Sequence, residues 1–372
     1  MILKEISVVN FRNYENLKID FSPKINIICG DNAQGKTNLL ESIYVLGITK
    51  SHRSLIDNNL IKNGERSSKI KGVIEKDNIN TNFEVYIENK NKQLKIDNSD
   101  IKKVNDYISN MNIIIFYPED LELIKGSPSI RRRYINLELS QINNSYLILI
   151  NEYNRLLKIR NEYLKKFQKT APIDNNYFNI LTNYLIDKAV IIYRMRKKFI
   201  DKINIECGKI YQDITGLSGF NIRYKTSIDF DSFEKDNIKE KIKEKISNIY
   251  QNEIRLGTTL IGPHRDDFEF YIDDNNLRNY GSQGQQRVAI LALKLSEINI
   301  FQQYKNTEPI LLLDDVFSEL DFNKRNNLLK YINNNIQTII TTTDLKNIDQ
   351  RILDQSKIIN IENGFIVNKK EV

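Results

Sequence analysis

Residues 30–37 read Gly-Asp-Asn-Ala-Gln-Gly-Lys-Thr, which is the G-x-x-x-x-G-K-[ST] spacing of a phosphate-binding loop. Gly30 and Gly35 permit backbone angles and a close approach that a side chain would block. The loop N–H groups and the dipole of a following helix form a cradle for an anion. We expect Lys36 to reach the β- and γ-phosphates and the Thr37 hydroxyl to ligate Mg²⁺. The segment therefore predicts a nucleoside triphosphate site formed by Gly30, Asp31, Asn32, Ala33, Gln34, Gly35, Lys36 and Thr37.

A pair of carboxylates follows an unbroken apolar run at residues 309–313. Such a run is typical of a parallel strand that is buried on both faces. We expect Asp314, at the carboxyl end of this strand and beside the phosphate loop, to hold Mg²⁺ through water. Asp315 would then orient or deprotonate the attacking water. Paired acids are common in turns, so this prediction depends on the phosphate loop.

A second glycine-framed segment, residues 281–287, reads Gly-Ser-Gln-Gly-Gln-Gln-Arg. The residues that follow would place apolar side chains on nearly every face of a helix, which predicts that this helix is buried. Ser282 is well placed as the N-cap of this helix. Its N-terminus is therefore a second potential anion site.

Residues 10–14, Asn-Phe-Arg-Asn-Tyr, form a polar turn between two predicted strands at the start of the chain. The next strand leads into the phosphate loop, so Arg12 and Asn13 could reach a bound nucleotide. A plain hairpin turn is the alternative.

Two further polar segments each allow a functional and a purely structural interpretation. Ser129 could cap a helix whose first turns carry Arg131, Arg132 and Arg133, a placement that is unfavourable for the helix dipole and therefore hints at anion binding. Three solvated arginines are the alternative. His264 lies in the charged turn 262–267, where it could be functional or merely satisfied by neighbouring carboxylates.

The elements around these residues predict an α/β protein. Short alternating strands and the phosphate loop occupy residues 1–120, which we assign to the N-terminal part of an ATPase lobe. Residues 121–255 change to long helical segments, with a helix–helix turn expected at 170–172, and form a helical lobe. Strand character returns in residues 256–372, the C-terminal part of the ATPase lobe.

Composition limits the class of partner. The net charge is +7 and the pI is near 9.0, which suits a polyanion such as nucleic acid, although solvated lysine-rich helix faces are the alternative. The apolar runs are far shorter than the ~20 residues that span a bilayer, so no membrane association is expected. Cys29 and Cys207 lie far apart, which predicts reduced thiols and a cytoplasmic location.

Taken together, these segments resemble the ATP-binding-cassette fold of the structural-maintenance-of-chromosomes type, and most closely the RecF family of bacterial recombinational repair proteins. The resemblance implies an ABC-type P-loop ATPase head, with a mixed sheet and helices, and a mainly helical second lobe inserted in the chain. It runs from end to end and rests on the motifs at residues 10–14, 30–37, 118–121, 125–128, 131–133, 262–267, 282–287 and 313–321.

The resemblance also implies function. Such proteins bind ATP and Mg²⁺, hydrolyse ATP weakly with stimulation by DNA, and dimerise with ATP sandwiched between protomers. Ser282, Gly284 and Gln285 would contact the γ-phosphate of the ATP held by the other chain. The family binds single-strand/double-strand junctions at gapped duplex DNA and acts with RecR and RecO to load the recombinase RecA. It serves replication-fork recovery and the SOS response.

This chain departs from the wider cassette pattern in several places. It has Gly-Ser-Gln-Gly-Gln where cassette transporters usually have Leu-Ser-Gly-Gly-Gln, and Asp315 where a glutamate is commoner. No glutamine-loop residue is evident, and Thr343 or Asp344 occupies the place of the switch histidine. These departures predict slow hydrolysis.

Two other functions are alternatives to DNA repair. One is the nucleotide-binding subunit of a transporter, which the basic charge and the deviant signature disfavour. The other is a phosphoryl-transfer enzyme, which would not need the helical lobe.

Overall fold

The computed structural model describes residues 1–54, 56–89, 91–108, 110–168, 175–316, 324, 328, 332, 336–345 and 348–367. Two stretches named above, 170–172 and 317–321, lie outside the described residues. The chain forms two compact units. The first comprises Met1–Asp120, Ile210–Leu217 and Ile290–Val372, and the second comprises Leu121–Lys209 and Ser218–Ala289.

The strands and helices are numbered here in chain order. The strands are β1 (Ile2–Phe11), β2 (Tyr14–Asp20), β3 (Ile25–Cys29), β4 (Ser67–Lys76), β5 (Ile79–Glu88), β6 (Asn91–Ile96), β7 (Ser99–Asp100), β8 (Ile113–Phe116), β9 (Phe220–Lys225), β10 (Asp267–Ile272), β11 (Asn275–Asn276), β12 (Ile310–Asp314), β13 (Thr338–Thr342), β14 (Ser356–Glu362) and β15 (Phe365–Val367). The α-helices are α1 (Lys36–Ile48), α2 (Val104–Ile108), α3 (Glu122–Lys125), α4 (Pro128–Ile142), α5 (Asn144–Gln168), α6 (Asn175–Thr215), α7 (Lys235–Leu256), α8 (Leu277–Tyr280), α9 (Gln283–Lys305) and α10 (Gln350–Leu353), with 3₁₀ turns at Asp57–Leu60 and Pro118–Leu121.

The first unit contains an antiparallel sheet in the order β2-β1-β4-β5-β6-β7. The side chains of its strands alternate between the two faces of the sheet. In β1, Ile6 and Val8 are fully buried, and Leu3 is buried as well because the register with β4 shifts between Leu3 and Glu5. β4, β5 and β6 confirm short alternating strands of the kind predicted for residues 1–120.

The same unit contains a mixed sheet in the order β15-β14-β3-β13-β12-β8, in which only the β14–β15 pair is antiparallel. All five residues of β12 and of β13 are buried. This confirms that the unbroken apolar run of β12 is a parallel strand covered on both faces. Because β3, β13 and β12 run in parallel, their carboxyl ends meet at one edge.

The second unit is mainly helical and contains the three-stranded sheet β11-β10-β9. Its helices α5 and α7 are joined by a fully buried ion pair, in which Arg160 donates to Glu253 at 2.7 Å. The predicted start of the helical lobe at residue 121 coincides with the boundary at Leu121. Residues 256–289, which were assigned to the ATPase lobe, belong to the second unit because β10 pairs along its length with β9.

Helix α4 corrects the prediction for Ser129. The N-cap is Ser127, and Pro128 occupies the first helical position, where its missing N–H costs no hydrogen bond. Arg131 is 2% exposed and donates to both carboxylate oxygens of Asp267, at 2.6 and 2.8 Å. Arg131 therefore has a structural role, and the anion-binding hypothesis does not apply to it. Among the described residues, no helix is long and apolar enough to cross a membrane.

Candidate functional site: a phosphate loop at a parallel sheet edge

The phosphate loop connects β3 to α1, as the sequence predicts. Its two glycines are required by close packing. A Cβ on Gly30 would lie 2.3 Å from the carbonyl oxygen of Ile361, and Gly35 has φ +110° with a Cβ position 2.7 Å from Asn13 Nδ2. The buried Tyr14 hydroxyl donates to the Gly35 carbonyl at 2.9 Å. The turn between β1 and β2 therefore supports the loop from one side.

Lys36 folds back onto the loop that precedes it. Its Nζ donates to the carbonyls of Gly30 at 2.7 Å and of Asp31 at 2.8 Å. Burial lowers the pKa of Lys36, and the nearby carboxylates, Asp315 first among them, oppose this effect. The ammonium group thus lies inside the cradle where the sequence predicts phosphates, held by carbonyl oxygens that an arriving phosphate can replace.

Asp314 lies at the end of β12 and receives two hydroxyls. Thr37 donates to its Oδ1 at 3.1 Å and Thr341 to the same oxygen at 2.6 Å. Burial raises the pKa of Asp314, although both hydrogen bonds act against the rise. The structure therefore brings together the two predicted magnesium ligands, Thr37 and Asp314.

Mg²⁺ suits these two residues. It prefers oxygen ligands and commonly binds through one or two carboxylates together with substrate phosphates. No group of three or more His, Cys, Asp or Glu side chains in the described part of the chain could hold a metal ion. Thr37 and Asp314 are the residues that would hold the ion, together with phosphate oxygens of a nucleotide.

Asp315 has a left-handed backbone, with φ +51°. Its N–H donates to the Thr341 hydroxyl oxygen at 3.0 Å. A left-handed conformation is uncommon for a residue other than glycine and is found most often at asparagine and aspartate. Thr341 on β13 thus contacts both Asp314, the last residue of β12, and Asp315, the residue after it, and so fixes the two acids relative to each other.

Asn13 connects the loop to α1. Its Nδ2 lies 3.5 Å from the Gln34 carbonyl oxygen, and its Oδ1 accepts from Asn38 Nδ2 at 2.8 Å. Arg53 extends this chain by donating to Asn38 Oδ1 at 2.9 Å. On the other side, the Gly364 N–H donates to the Gln34 carbonyl at 3.2 Å. The loop is therefore supported by the β14–β15 turn as well as by Asn13.

Arg12 makes a bidentate ion pair with Glu41. Its Nε and Nη2 donate to the two carboxylate oxygens at 2.9 and 2.7 Å, and its Nη1 donates to the Asn59 carbonyl at 2.7 Å. Burial favours a raised pKa for the fully buried Glu41, but the hydrogen bonds from Arg12 and Ser51 outweigh it, so the pKa is lowered. The guanidinium of Arg12 is thus held against α1, beside the loop.

The glycine-framed segment lies in the second unit and confirms Ser282 as the N-cap of α9. The Gln285 N–H donates to Ser282 Oγ at 3.2 Å, and the Ser282 N–H donates to Gln285 Oε1 at 2.9 Å. This reciprocal pair is a capping box. A Cβ on Gly284 would meet no atom within 4 Å, so packing does not require that glycine. Ser282 and Gly284 are both exposed.

His264 is satisfied within the second unit, but not by the neighbouring carboxylates. Its Nδ1 lies 2.7 Å from the Tyr153 hydroxyl and its Nε2 lies 3.2 Å from the Thr259 carbonyl oxygen. Burial lowers the pKa of His264 to about 4. Asp266, two residues further along the chain, instead accepts from the Tyr224 hydroxyl at 2.6 Å. These contacts give the turn a structural role.

Sequence reasoning missed three residues of the site: Tyr14, Glu41 and Thr341. The sequence does contain a signal for Glu41. It is an acid among the apolar positions of α1, and an acid that is buried needs a cationic partner. Tyr14 and Thr341 had none, because their partners are distant in the chain.

A glycine-rich phosphate loop, a buried parallel strand that ends in two acids, and a capped glycine-framed helix define an ATPase of the ATP-binding-cassette type. The family model described as RecF/RecN/SMC N terminal domain matches residues 2–365. The chain therefore belongs to this family, and within it to the RecF proteins of DNA replication and repair, as the following relatives show.

The DNA replication and repair protein RecF of Listeria monocytogenes serotype 4b is 41% identical over 98% of this chain and 99% of its own length. That of Bacillus cereus (strain AH820) is 42% identical over 98% of each chain. A solved structure of the recombination mediator protein RecF with ATP, in the RecFOR pathway, matches at TM-score 0.91 and 32% identity over 99% of this chain and 98% of that one. An SMC head bound to the C-winged helix domain of ScpA, at TM-score 0.55 and 15% identity, shares the fold.

Proposed function

We propose that this protein is an ATP-switched DNA-binding protein of recombinational repair, in which ATP stabilises a homodimer that holds DNA and slow hydrolysis releases it. The observation that supports it most strongly is the 3.1 Å contact between the Thr37 hydroxyl and Asp314, which joins the phosphate loop to the acidic strand end. The loop binds the triphosphate. The two acids at the strand end supply what hydrolysis requires.

Lys36 would exchange its contacts with the loop carbonyls for the β- and γ-phosphates of ATP. Mg²⁺, when bound by Thr37 and Asp314, neutralises charge on those phosphates. Asp315 would accept a proton from the attacking water. Its side chain is shorter than the usual glutamate, so the water is activated poorly and hydrolysis is slow. Slow hydrolysis would then determine how long the ATP-stabilised dimer persists.

The exposed capping box supports a shared site. Ser282, Gly284 and Gln285 would contact the γ-phosphate of ATP held by a second protomer, with the N-terminal N–H groups of α9 directed at the anion. Gly284 is open on its Cβ side, which leaves room for a close approach. ATP would then bind the closed dimer more tightly than the monomer and shift the population toward it.

The net charge of +7 supports a polyanionic partner. Gapped duplex DNA with single-strand/double-strand junctions is the expected substrate, and DNA is expected to stimulate the ATPase. The solved RecF structures belong to the RecFOR pathway, which supports RecR and RecO as partners of this protein. A bacterial protein that acts on chromosomal DNA would be located in the cytoplasm.

Lys36→Ala tests the proposal, with Lys50→Ala, an exposed lysine just beyond α1, as the matched control. We expect ATP with Mg²⁺ to convert the wild type and Lys50→Ala from monomer to dimer in light scattering, and to prolong retention on gapped DNA. Lys36→Ala should stay monomeric and release DNA as it does without ATP. ATP-dependent dimerisation and retention that survive in Lys36→Ala would contradict the switch.

A further inference from the structure

The second unit contains a long groove along one face of α6. Its volume is about 870 Å³. It is lined by α6 side chains between Asp187 and Ile205, by Phe233 just before α7, and by Lys235 and Lys239 in the first turns of α7. At 1.5 Å of rise per residue, the α6 side of the groove runs for ~27 Å. This is long for a small molecule and corresponds to five turns of a helix.

The floor of the groove has two exposed isoleucines on one stripe of α6. Ile191 is 47% exposed and Ile205 is 59% exposed, fourteen residues apart in the sequence, and the exposed Lys198 lies midway between them on the same stripe. Met195, four residues after Ile191, also lines the groove. Apolar residues at seven-residue and four-residue steps form the seam into which a second helix packs. Exposed apolar side chains in such a register mark an interaction surface.

The charges around this floor are strongly positive. Six of the lining residues are cationic and two are acidic. Both acids are paired within the groove, Asp187 with Lys239 at 2.6 Å and Asp201 with Lys197 at 2.5 Å. This leaves an excess of four positive charges over the groove.

Three of the cations, Arg194, Lys198 and Lys235, have no ion pair or hydrogen bond with the described part of the chain, and all three are exposed. Cations without a partner beside an apolar seam favour a ligand that offers both carboxylates and apolar side chains.

We propose that this groove, the α6 groove, binds an acidic amphipathic helix of a partner protein. The apolar stripe of that helix would cover Ile191, Met195 and Ile205. Its carboxylates would pair with Arg194 and with Lys198, which lies on the seam between the two isoleucines. Helix-in-groove recognition uses anchors at this spacing.

Two other occupants fit less well. Single-stranded nucleic acid needs aromatic platforms for its bases, and Phe233 is the one aromatic side chain that lines the groove in the described residues. A second copy of α6 would present the same excess of cations and would be repelled. The observed combination of charge and apolar seam therefore favours an acidic helix.

A fluorescence anisotropy experiment on the full-length protein can test this with three labelled probes. The first is a 21-residue peptide of glutamate, alanine and leucine, with the leucines in one helical stripe. The second has the same composition with the leucines dispersed around the helix, and the third is a single-stranded oligothymidylate of about the same length. We expect the striped peptide to bind at least tenfold more tightly than the dispersed one.

Two groove variants and two matched controls complete the design. Ile191→Ser and Lys198→Glu should each weaken binding of the striped peptide at least fivefold. Ile148→Ser, at an isoleucine of α5 that is 46% exposed outside the groove, and Lys243→Glu, at an exposed lysine of α7 outside it, should change binding less than twofold. Equal binding of the two peptides, no binding of either, or groove variants that bind like the wild type would overturn the proposal. Loss of oligothymidylate binding alone in Lys198→Glu would instead assign the groove to nucleic acid and would also overturn it.

Discussion

Thr341 donates its hydroxyl to Asp314 Oδ1 at 2.6 Å from the neighbouring parallel strand, and its oxygen accepts the N–H of Asp315 at 3.0 Å. One buried threonine thus connects both acids of the proposed hydrolytic site. The parallel register that pairs Asp314 with Thr341 makes this contact possible.

Thr341→Val should therefore impair hydrolysis more than nucleotide binding. Valine keeps the shape of threonine but removes the hydroxyl, so Asp314 loses a donor and Asp315 loses an acceptor. We expect kcat to fall about tenfold, which corresponds to ~1.4 kcal/mol, while the affinity for ATP changes less than about threefold. Steady-state ATPase assays and nucleotide titrations measure the two quantities.

Thr338→Val is the matched control on the same strand. Thr338 is fully buried, but its hydroxyl donates to the Ile336 carbonyl, away from both acids. The control should keep kcat within about twofold of the wild type. If Thr341→Val hydrolysed ATP as fast as Thr338→Val, Thr341 would not position the acids.

Gly35→Ala should abolish ATP binding, whereas Gly64→Ala should not. Both glycines have positive φ, +110° and +90°, so alanine costs each backbone about 1–2 kcal/mol. Only at Gly35 would the new Cβ also collide, with Asn13 Nδ2 at 2.7 Å and the Tyr14 hydroxyl at 2.8 Å, because Gly64 has no atom within 4 Å.

Thermal unfolding and titration with a fluorescent ATP analogue distinguish these effects. Both variants should lose stability, but only Gly35→Ala should lose more than about thirtyfold in ATP affinity. Equal nucleotide affinity in the two variants would show that the packing against Asn13 and Tyr14 does not shape the loop.

The buried histidines predict a loss of stability in mild acid. Burial lowers the pKa values of His52 and His264 to about 4, so between pH 6.5 and 4 these two side chains bind fewer protons in the folded state than in the unfolded state. The stabilisation is fully present above pH 6.5 and is lost as the pH falls toward 4, at up to ~1.4 kcal/mol per pH unit for each histidine.

His264→Gln should remove one of these two contributions. Urea unfolding at a series of pH values should give a shallower decline for the variant between pH 6.5 and 4, and parallel curves above pH 7. A decline as steep as that of the wild type would mean that His264 does not remain neutral in the folded protein.

Much of the site could be predicted from local sequence. The phosphate loop, the strand that ends in Asp314 and the N-cap Ser282 depend on residue types at short spacings, and the structure confirms their positions. Local signals do not identify the N-cap when two residues are equally suitable for it, as Ser127 and Ser129 are for α4. There the helix begins at Pro128, which makes Ser127 the N-cap.

The remaining features depend on tertiary pairing. The burial of Arg131 follows from Asp267, which is 136 residues away. The assignment of residues 256–289 to the second unit follows from the pairing of β10 with β9, which strand propensity cannot reveal. Likewise, nothing near Thr341 in the sequence indicates that its hydroxyl contacts Asp314.

The central claim is that each ATP site is shared between two protomers. Its most direct test is to mix two inactive variants. Lys36→Ala lacks the phosphate-loop lysine, and Ser282→Arg blocks the exposed capping residue. A heterodimer of the two would contain one doubly defective site and one intact site. We predict that each variant alone is nearly inactive and that an equimolar mixture regains about a quarter or more of the wild-type ATPase rate. A mixture that remains as inactive as its components would contradict the shared site.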